Sequence, residues 1–270
     1  MIDARLQIEL RKRFNPEGSP LRLHQLRMLE MLQSVDKICK ENNITYWLSS
    51  GTCLGAVRHG GFIPWDDDVD IEMLKPDFCR FKKVMKNNIN KGIAFQTHES
   101  DPEYFAPYGK IRDLNSVIEE KSCHDRHYKY RGIYIDVFVI EPSISRIIAR
   151  ISGGMQNRLQ YPLSKIQNRI LRKSVTNSMF FVLSKCVYPI LSFITNWKYS
   201  KKLRHIHGSG FVGPRYATDL LPVKYVIFEG QLFPIPQNSH HYLKILYGNY
   251  MSIPELQKIH THLSDIIMHI

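Results

Sequence analysis

Nine consecutive residues, Gly132 to Ile140 (GIYIDVFVI), hold a single ionisable group, Asp136. Side chains alternate between the two faces of a strand. Ile133, Ile135, Val137 and Val139 therefore make one aliphatic face, and Tyr134, Asp136, Phe138 and Ile140 make the other. A strand this apolar on both faces is buried on both, which calls for a sheet with helices packed on either side. An unpaired ionised carboxylate in such a strand costs several kcal/mol or more, so Asp136 needs a positive partner. That partner is either a metal ion shared with other carboxylates or an Arg or Lys, Arg112 among them.

A second strand signal carries more acid. In DVDIEM, Asp68 and Asp70 stand two residues apart and share a strand face, while Val69 and Ile71 point the opposite way into the core. Asp66 and Asp67 precede them, so four carboxylates fall within five positions. Two carboxylates on one face can meet at a hard cation, and Mg²⁺ is usually held by one or two carboxylates together with substrate phosphates. Just upstream, ITYWLSS reads as a strand running into the Gly51-Thr52 turn, and a helix of about two turns follows until Gly60-Gly61. The free N–H groups at that helix start suit a phosphate, and Ser49, Ser50 and Thr52 add hydroxyls. Phosphate donors beside metal-binding carboxylates describe a Mg²⁺ (or Mn²⁺) nucleotide site, with Asp68, Asp70 and Asp136 as metal ligands and catalytic groups.

Around this pair of strands the chain alternates its signals. Leu26, Leu29, Leu32, Val35 and Ile38 describe an amphipathic helix from about Pro20 to Glu41. KPDFCRFKKVMKNN is a second helix, followed by short strands at IAFQTHE, YFAPYGKIRDL and SVIEE. YVIFEGQLFPIP reads as a hairpin about Glu229 and Gly230, and NSHHYLKILYG as a helix capped by Asn238. The fold class is α/β (α+β): a mixed sheet flanked by helices, in a single domain spanning 1–270, with a helical, basic insertion at about 143–208.

Composition narrows the partners. The net charge of +12 and pI near 9.4 favour anionic ligands. Five scattered cysteines with no CxxC pair exclude a disulfide framework or a four-cysteine zinc site. Cys123, His124 and His127 in CHDRH are spaced too tightly for a zinc finger. The N-terminus carries charge throughout and does not read as a secretory signal. Ser178–Trp197 is the most apolar stretch, but Lys185 and Pro189 interrupt it, so it reads as a buried or membrane-surface helix pair. The basic stretch GMQNRLQYPLSKIQNRILRKS reads as a solvated helix face or as an attachment to an anionic membrane. Basic and aromatic residues are not regularly interleaved, which disfavours nucleic acid as partner.

The order of Gly-Thr turn, Asp-x-Asp strand and later lone-Asp strand resembles the nucleotidyltransferase superfamily related to DNA polymerase β. The longer string GTCLGAVRHGGFIPWDDDVDIEM resembles the signature of the LicD family, bacterial phosphorylcholine transferases related to fukutin and fukutin-related protein. KIRDLNS, GIYIDVFVIE, FEGQLFPIP and YLKILYGNYMSIP agree with it, so the resemblance runs from about Leu21 to Pro254. It implies a nucleotidyltransferase-like sheet and transfer of a phospho-substituent from a CDP-activated donor such as CDP-choline to a hydroxyl of a glycan or lipid-linked glycan. Asp68 and Asp70 would be metal ligands and Asp136 the third acidic residue. Gly51 and Thr52 would hold the diphosphate, with Arg58, Lys110 and Arg112 as its cations. Trp65, Asp66, Asp67 and Tyr247 are expected on the substrate side. A cytoplasmic location follows, with peripheral contact at the inner face of the membrane. The alternative with the same ligands is a nucleotidyltransferase adding NMP to a small molecule or RNA. Two positions depart from the family pattern: Val139-Ile140-Glu141 where a Pro and an Asp often follow the third carboxylate, and Asn249 where an acidic residue usually follows Tyr-Gly. These bear on donor head group and acceptor rather than on the carboxylates.

Overall fold

The computed structural model describes residues 2–86, 92–120, 125–143, 145–196, 201–256 and 266–269. A first helix, α1 (Ala4–Phe14), is charged on most sides and buries only Leu10 fully. The second, α2, spans Pro20–Glu41. Ser19 caps it by accepting from Arg22 N at 3.3 Å, and Pro20 sits where a missing N–H costs nothing. Its apolar stripe (Met28, Leu32, Val35, Ile38) is buried against the sheet.

Strand β1 is only Trp47–Leu48 and leads into α3 (Ser50–His59), which ends on a left-handed Gly60 at φ 67°. Then come β2 (Asp70–Leu74), α4 (Lys75–Lys86), β3 (Ile93–Gln96), β4 (Gly109–Asp113), β5 (Val117–Glu120) and β6 (Tyr134–Pro142). Helices α5 (Arg146–Lys165), α6 (Arg169–Phe181) and α7 (Tyr188–Thr195) follow, the last two joined through a π-helical turn at Val182–Val187. The rest comprises β7 (Lys202–His205), β8 (Arg215–Tyr216), α8 (Ala217–Leu220), the hairpin β9 (Lys224–Phe228) and β10 (Gln231–Ile235), α9 (Ser239–Tyr247) and β11 (Ile266–His269), which pairs with β5. The result is an α+β architecture, a mixed sheet flanked by helices.

The main sheet runs β1-β2-β6-β4-β3, with β7 added to the end of β6 and β8 to β7. The pair β2–β6 is parallel and the others are antiparallel. As its composition requires, β6 is central: Ile133, Ile135, Val137, Val139 and Ile140 are all buried.

Three expectations change. The strand DVDIEM begins at Asp70, so Asp68 lies in the extended segment ahead of it, because the Asp70 N–H is taken by the Thr52 hydroxyl at 2.8 Å rather than by a strand partner. The 143–208 insertion is helical only as far as Thr195, and β7 then returns to the main sheet through Leu203–Pro142 and His205–Ile140 pairing. Ser178–Trp197, expected as a buried or membrane-surface helix pair, is not buried as a pair. Its residues up to Thr195 form the second half of one continuous helical run, Arg169–Thr195, that shows Phe181, Ile190, Phe193 and Ile194 to the outside, and Trp197 lies outside the described residues.

Candidate active site

Strand register builds the centre of the site. Parallel pairing sets Asp70 opposite Asp136, and antiparallel pairing sets Lys110 opposite Asp136 on the other side. Asp70, Asp136 and Lys110 therefore form one row across three adjacent strands, and paired positions present their side chains on the same face. Lys110 Nζ lies 2.7 Å from Asp136 Oδ1 and 3.5 Å from the centre of the Tyr134 ring. Asp136, partly exposed on β6, thus has a lysine as its partner in this structure. Arg112, one step along the same strand face, pairs opposite Tyr134 instead.

Asp70 and Asp66 are pushed well above the ordinary carboxylate range. For Asp70 the causes are burial, then Asp68, Asp136 and Asp66, with Lys110 opposing. For Asp66 they are burial, then Asp68 and Asp67, with Arg58 opposing. Five carboxylates, Asp66, Asp67, Asp68, Asp70 and Asp136, thus take part in these interactions, and Lys110 and Arg58 do not balance them. This is an arrangement in which a bound cation would relieve stored repulsion.

The amino end of α3 faces the same cluster. Its N-cap, Ser49, makes no side-chain capping bond, and the buried Ser49 Oγ has no hydrogen-bond partner. Ser50 adopts a left-handed φ of 45° and donates its N–H to the Tyr242 hydroxyl at 3.0 Å. Gly51 is required for closeness: a Cβ there would stand 3.0 Å from Asp66 Oδ2. The Thr52 hydroxyl accepts from Asp70 N and so fastens the helix start to the acidic strand. An uncapped helix N-terminus with an unpartnered serine hydroxyl is equipped to receive an anion.

The backbone of the acidic segment is held from outside by α2, a role that sequence reasoning missed. Gln25 Nε2 donates to Asp66 O at 2.8 Å, and its Oε1 accepts from Asn15 Nδ2 at 2.7 Å. His24 Nε2 lies 2.9 Å from Asp67 O. Polar residues on the buried side of an otherwise apolar helix stripe are the signal that could have revealed them. A second missed group is Glu72, fully buried on β2. It receives Arg215 (2.6 and 3.0 Å), Trp47 Nε1 (2.9 Å) and His205 Nε2 (3.0 Å), and the Tyr242 hydroxyl stands 3.5 Å away. Arg215 and His205 hold Glu72 down to about 2 against its burial. Through Tyr242 this network reaches the Ser50 N–H, so it supports the α3 end of the site.

The remaining expected residues divide. Tyr247 closes α9 at the rim, half exposed, and its phenol is pushed up by partial burial and by the charges of Asp70 and Asp66. Asp67 is nearly buried beneath His24. Arg58 is buried and spends its Nη1 on Tyr250 O (2.8 Å) and Ser252 O (3.0 Å) and its Nε on His59. Arg112 is fully buried, with donors on Gln96 Oε1 and Gly132 O. Both arginines therefore anchor backbone, where a diphosphate contact was expected; their distance from the charge row in sequence pattern could not reveal such partners. Trp65 packs edge-on against Phe14 (5.3 Å) and His59 (5.9 Å) and is a wall of the core rather than a free ring. Cys123 and His124 lie outside the described residues.

The carboxylates offer the hard oxygen donors that Mg²⁺ or Mn²⁺ takes. Among the described residues no three His, Cys, Asp or Glu side chains converge closely enough to hold an ion. The carboxylates thus match a divalent cation in donor type and in their excess negative charge, but, among the described residues, not in the convergence of three side chains.

The chain is similar in sequence to known proteins. Residues 43–173 match the family described as LicD/FKTN/FKRP, nucleotidyltransferase domain. The chain is 28% identical over 271 residues to the lipopolysaccharide cholinephosphotransferase LicD of Haemophilus influenzae, covering 89% of this chain and 95% of that protein. It is 40% identical to the mannosyltransferase regulator 4 of Saccharomyces cerevisiae over 54% of this chain and 12% of that one. Against the ribitol-5-phosphate transferase FKTN of Mus musculus the identity is 44%, over 19% of this chain and 11% of the mouse protein.

Proposed function

Since the chain carries a LicD-family domain over residues 43–173, we propose that it is a phosphotransferase moving a phospho-substituent, phosphocholine or a close analogue, from a CDP-activated donor to a glycan hydroxyl. The observation that carries this reading is the Asp70–Asp136–Lys110 row lying against the uncapped start of α3. Near-end-to-end similarity to a protein named as a lipopolysaccharide cholinephosphotransferase supports the phosphocholine class.

In this reading the N–H groups of Gly51 and Thr52 at the start of α3, together with Lys110, take the diphosphate of the donor. Transfer of this kind asks a protein for positioning and charge neutralisation more than for covalent chemistry. Asp68, Asp70 and Asp136 would hold Mg²⁺ or Mn²⁺, which supplies charge neutralisation on the diphosphate when bound. Gln25 and His24 fix the backbone that carries Asp66, Asp67 and Asp68. The acceptor oxygen forms the new bond to the phosphorus bearing the choline-like group, and the bond to CMP breaks. The hydroxyl proton passes to a carboxylate of the cluster. Tyr247, at the rim, lines the acceptor side.

The test is incubation of the purified chain with CDP-choline, Mg²⁺ and a lipopolysaccharide oligosaccharide. CMP release with a phosphocholine mass gain on the glycan is expected. Pyrophosphate release from an NTP, with no CMP from CDP-choline, would establish nucleotidyl transfer instead. If CDP-ribitol or CDP-glycerol served where CDP-choline failed, the transfer class would stand and the head group would be corrected.

A further inference from the structure

The helical run Arg169–Thr195 packs Leu183 and Tyr188 into a small apolar cluster, sets polar groups among them, and shows an apolar stripe to the outside. Its buried positions are Arg172, Thr176, Leu183, Tyr188 and Thr195. Three of the polar ones have a partner off the run: Arg172 Nε and Nη2 lie 3.1 and 3.2 Å from the Glu103 carboxylate, Tyr188 donates to Gln156 of α5 at 2.6 Å, and Thr195 Oγ1 stands 3.1 Å from His207 Nε2. The outward stripe instead carries Ile170, Leu171, Phe181, Val182, Ile190, Phe193 and Ile194, with Phe193 89% exposed. A water-facing helix would show the reverse polarity. The run is long and apolar enough to cross a membrane, and only 17% of its most apolar window is buried.

The neighbouring α5 adds charge. It shows Ile147 and Ile151 to the outside, beside Arg146, Arg150 and Arg158. A groove of about 520 Å³ on α5 is lined by Arg150, Ile151, Gly154, Met155, Arg158 and Leu159. Between residues 143 and 196 the chain has eight Lys and Arg residues and no Asp or Glu.

We propose that the outer face of α5, α6 and α7 lies flat on an anionic lipid bilayer. Apolar side chains enter the headgroup–acyl boundary, and the arginines of α5 meet lipid phosphates. An exposed apolar stripe beside arginines, on a segment with no Asp or Glu between residues 143 and 196, is complementary to such a surface. The run does not span, because crossing would break the Arg172–Glu103, Tyr188–Gln156 and Thr195–His207 contacts along its whole length. The inference stands on this surface alone and is independent of the reaction at the carboxylates.

The test is co-sedimentation of the full chain with vesicles of phosphatidylcholine alone and of phosphatidylcholine with phosphatidylglycerol. Binding to the anionic vesicles alone is expected, weakened by salt. The double variant Ile190→Glu/Phe193→Glu should abolish it, and Arg150→Glu/Arg158→Glu should weaken it by roughly tenfold or more, with circular dichroism unchanged in both. These substitutions lie on exposed positions, so loss of folding is not their expected effect. Equal binding to neutral vesicles, no binding to either, or a dimer in light scattering that the Ile190→Glu/Phe193→Glu variant dissociates would each overturn the proposal. So would resistance to alkaline extraction, which would mean a spanning helix.

Discussion

At the scale of single residues, the site keeps charge that the fold would do better without. Asp70 has its protonation favoured by burial and by three neighbouring carboxylates. A carboxyl with its pKa raised by folding stabilises the native state when protonated, and that contribution disappears as pH rises through the native value. Asp70→Asn should therefore raise stability to urea at neutral pH by roughly 1–2 kcal/mol, with the gain shrinking toward acid pH, while transfer falls by about 10²-fold or more. A variant that lost both stability and activity would mean that the carboxylate is structurally paired. Glu72 sits two residues away and behaves oppositely, because Arg215, Trp47 and His205 satisfy it. Glu72→Ala leaves the Arg215 guanidinium buried without a counter-charge and should cost about 3–5 kcal/mol in chemical denaturation. The alternation Asp-Val-Asp-Ile-Glu made these carboxylates look alike; what separates them is long-range pairing with residues more than a hundred positions on, which no local spacing encodes.

At the scale of elements, the sequence was legible where local chemistry decides. Pro20 after Ser19 and the paired asparagines at the far end bound α2 correctly, and Asn238 caps α9 by accepting from His241 N at 3.2 Å. The Glu229-Gly230 hairpin holds, with both residues at positive φ. Legibility failed where a tertiary partner decides: β7 (KLRH) has one buried apolar side chain and becomes a strand because β6 extends past β4 to receive it. The hairpin turn also does more than reverse the chain. Glu229 accepts from Arg11 (2.9 Å), Arg22 (2.8 Å) and Phe62 N (3.1 Å), and sits so near Gly61 that a Cβ there would collide with it. Glu229→Ala should lower stability by roughly 3 kcal/mol, read from the urea midpoint. For the α2 grip on the acidic segment the expected signature is kinetic. Gln25→Ala should lower kcat by roughly tenfold while circular dichroism and unfolding cooperativity stay near wild type; unchanged kcat would reduce Gln25 to packing.

At the scale of the whole molecule, buried histidines shape the response to acid: burial lowers His24, His59, His205 and His207. Burial and neighbouring cations bring His59 down to about 3 and His205 to about 4. His59 stays neutral by accepting from Arg58 Nε while its Nδ1 stands 2.6 Å from Gln7 Oε1. Unfolded histidine takes up a proton near pH 6.5, so the unfolded chain gains protons first and stability falls as pH drops from about 6.5 toward 4. His59 and His205 each contribute on the order of 3 kcal/mol across that window, partly offset by Asp66 and Asp70. Urea unfolding at pH 7.5 and 4.5 should show the loss, and His59→Gln should flatten it; a stability independent of pH would contradict the buried neutral imidazoles.

The hydrogen bonds from Arg58 to Tyr250 O and Ser252 O have a consequence in time rather than in space. The start of α3 is laid down near residue 50, the Asp136 carboxylate at 136, the Glu72 counter-charge at 215, and the carbonyls that satisfy Arg58 at 250 and 252. A chain still being synthesised holds these pieces in sequence without being able to close them. The surroundings of the acidic cluster are therefore complete only once the segment through Ser252 has been made and packed onto α3, and a half-made chain holds the carboxylates without the contacts that position them.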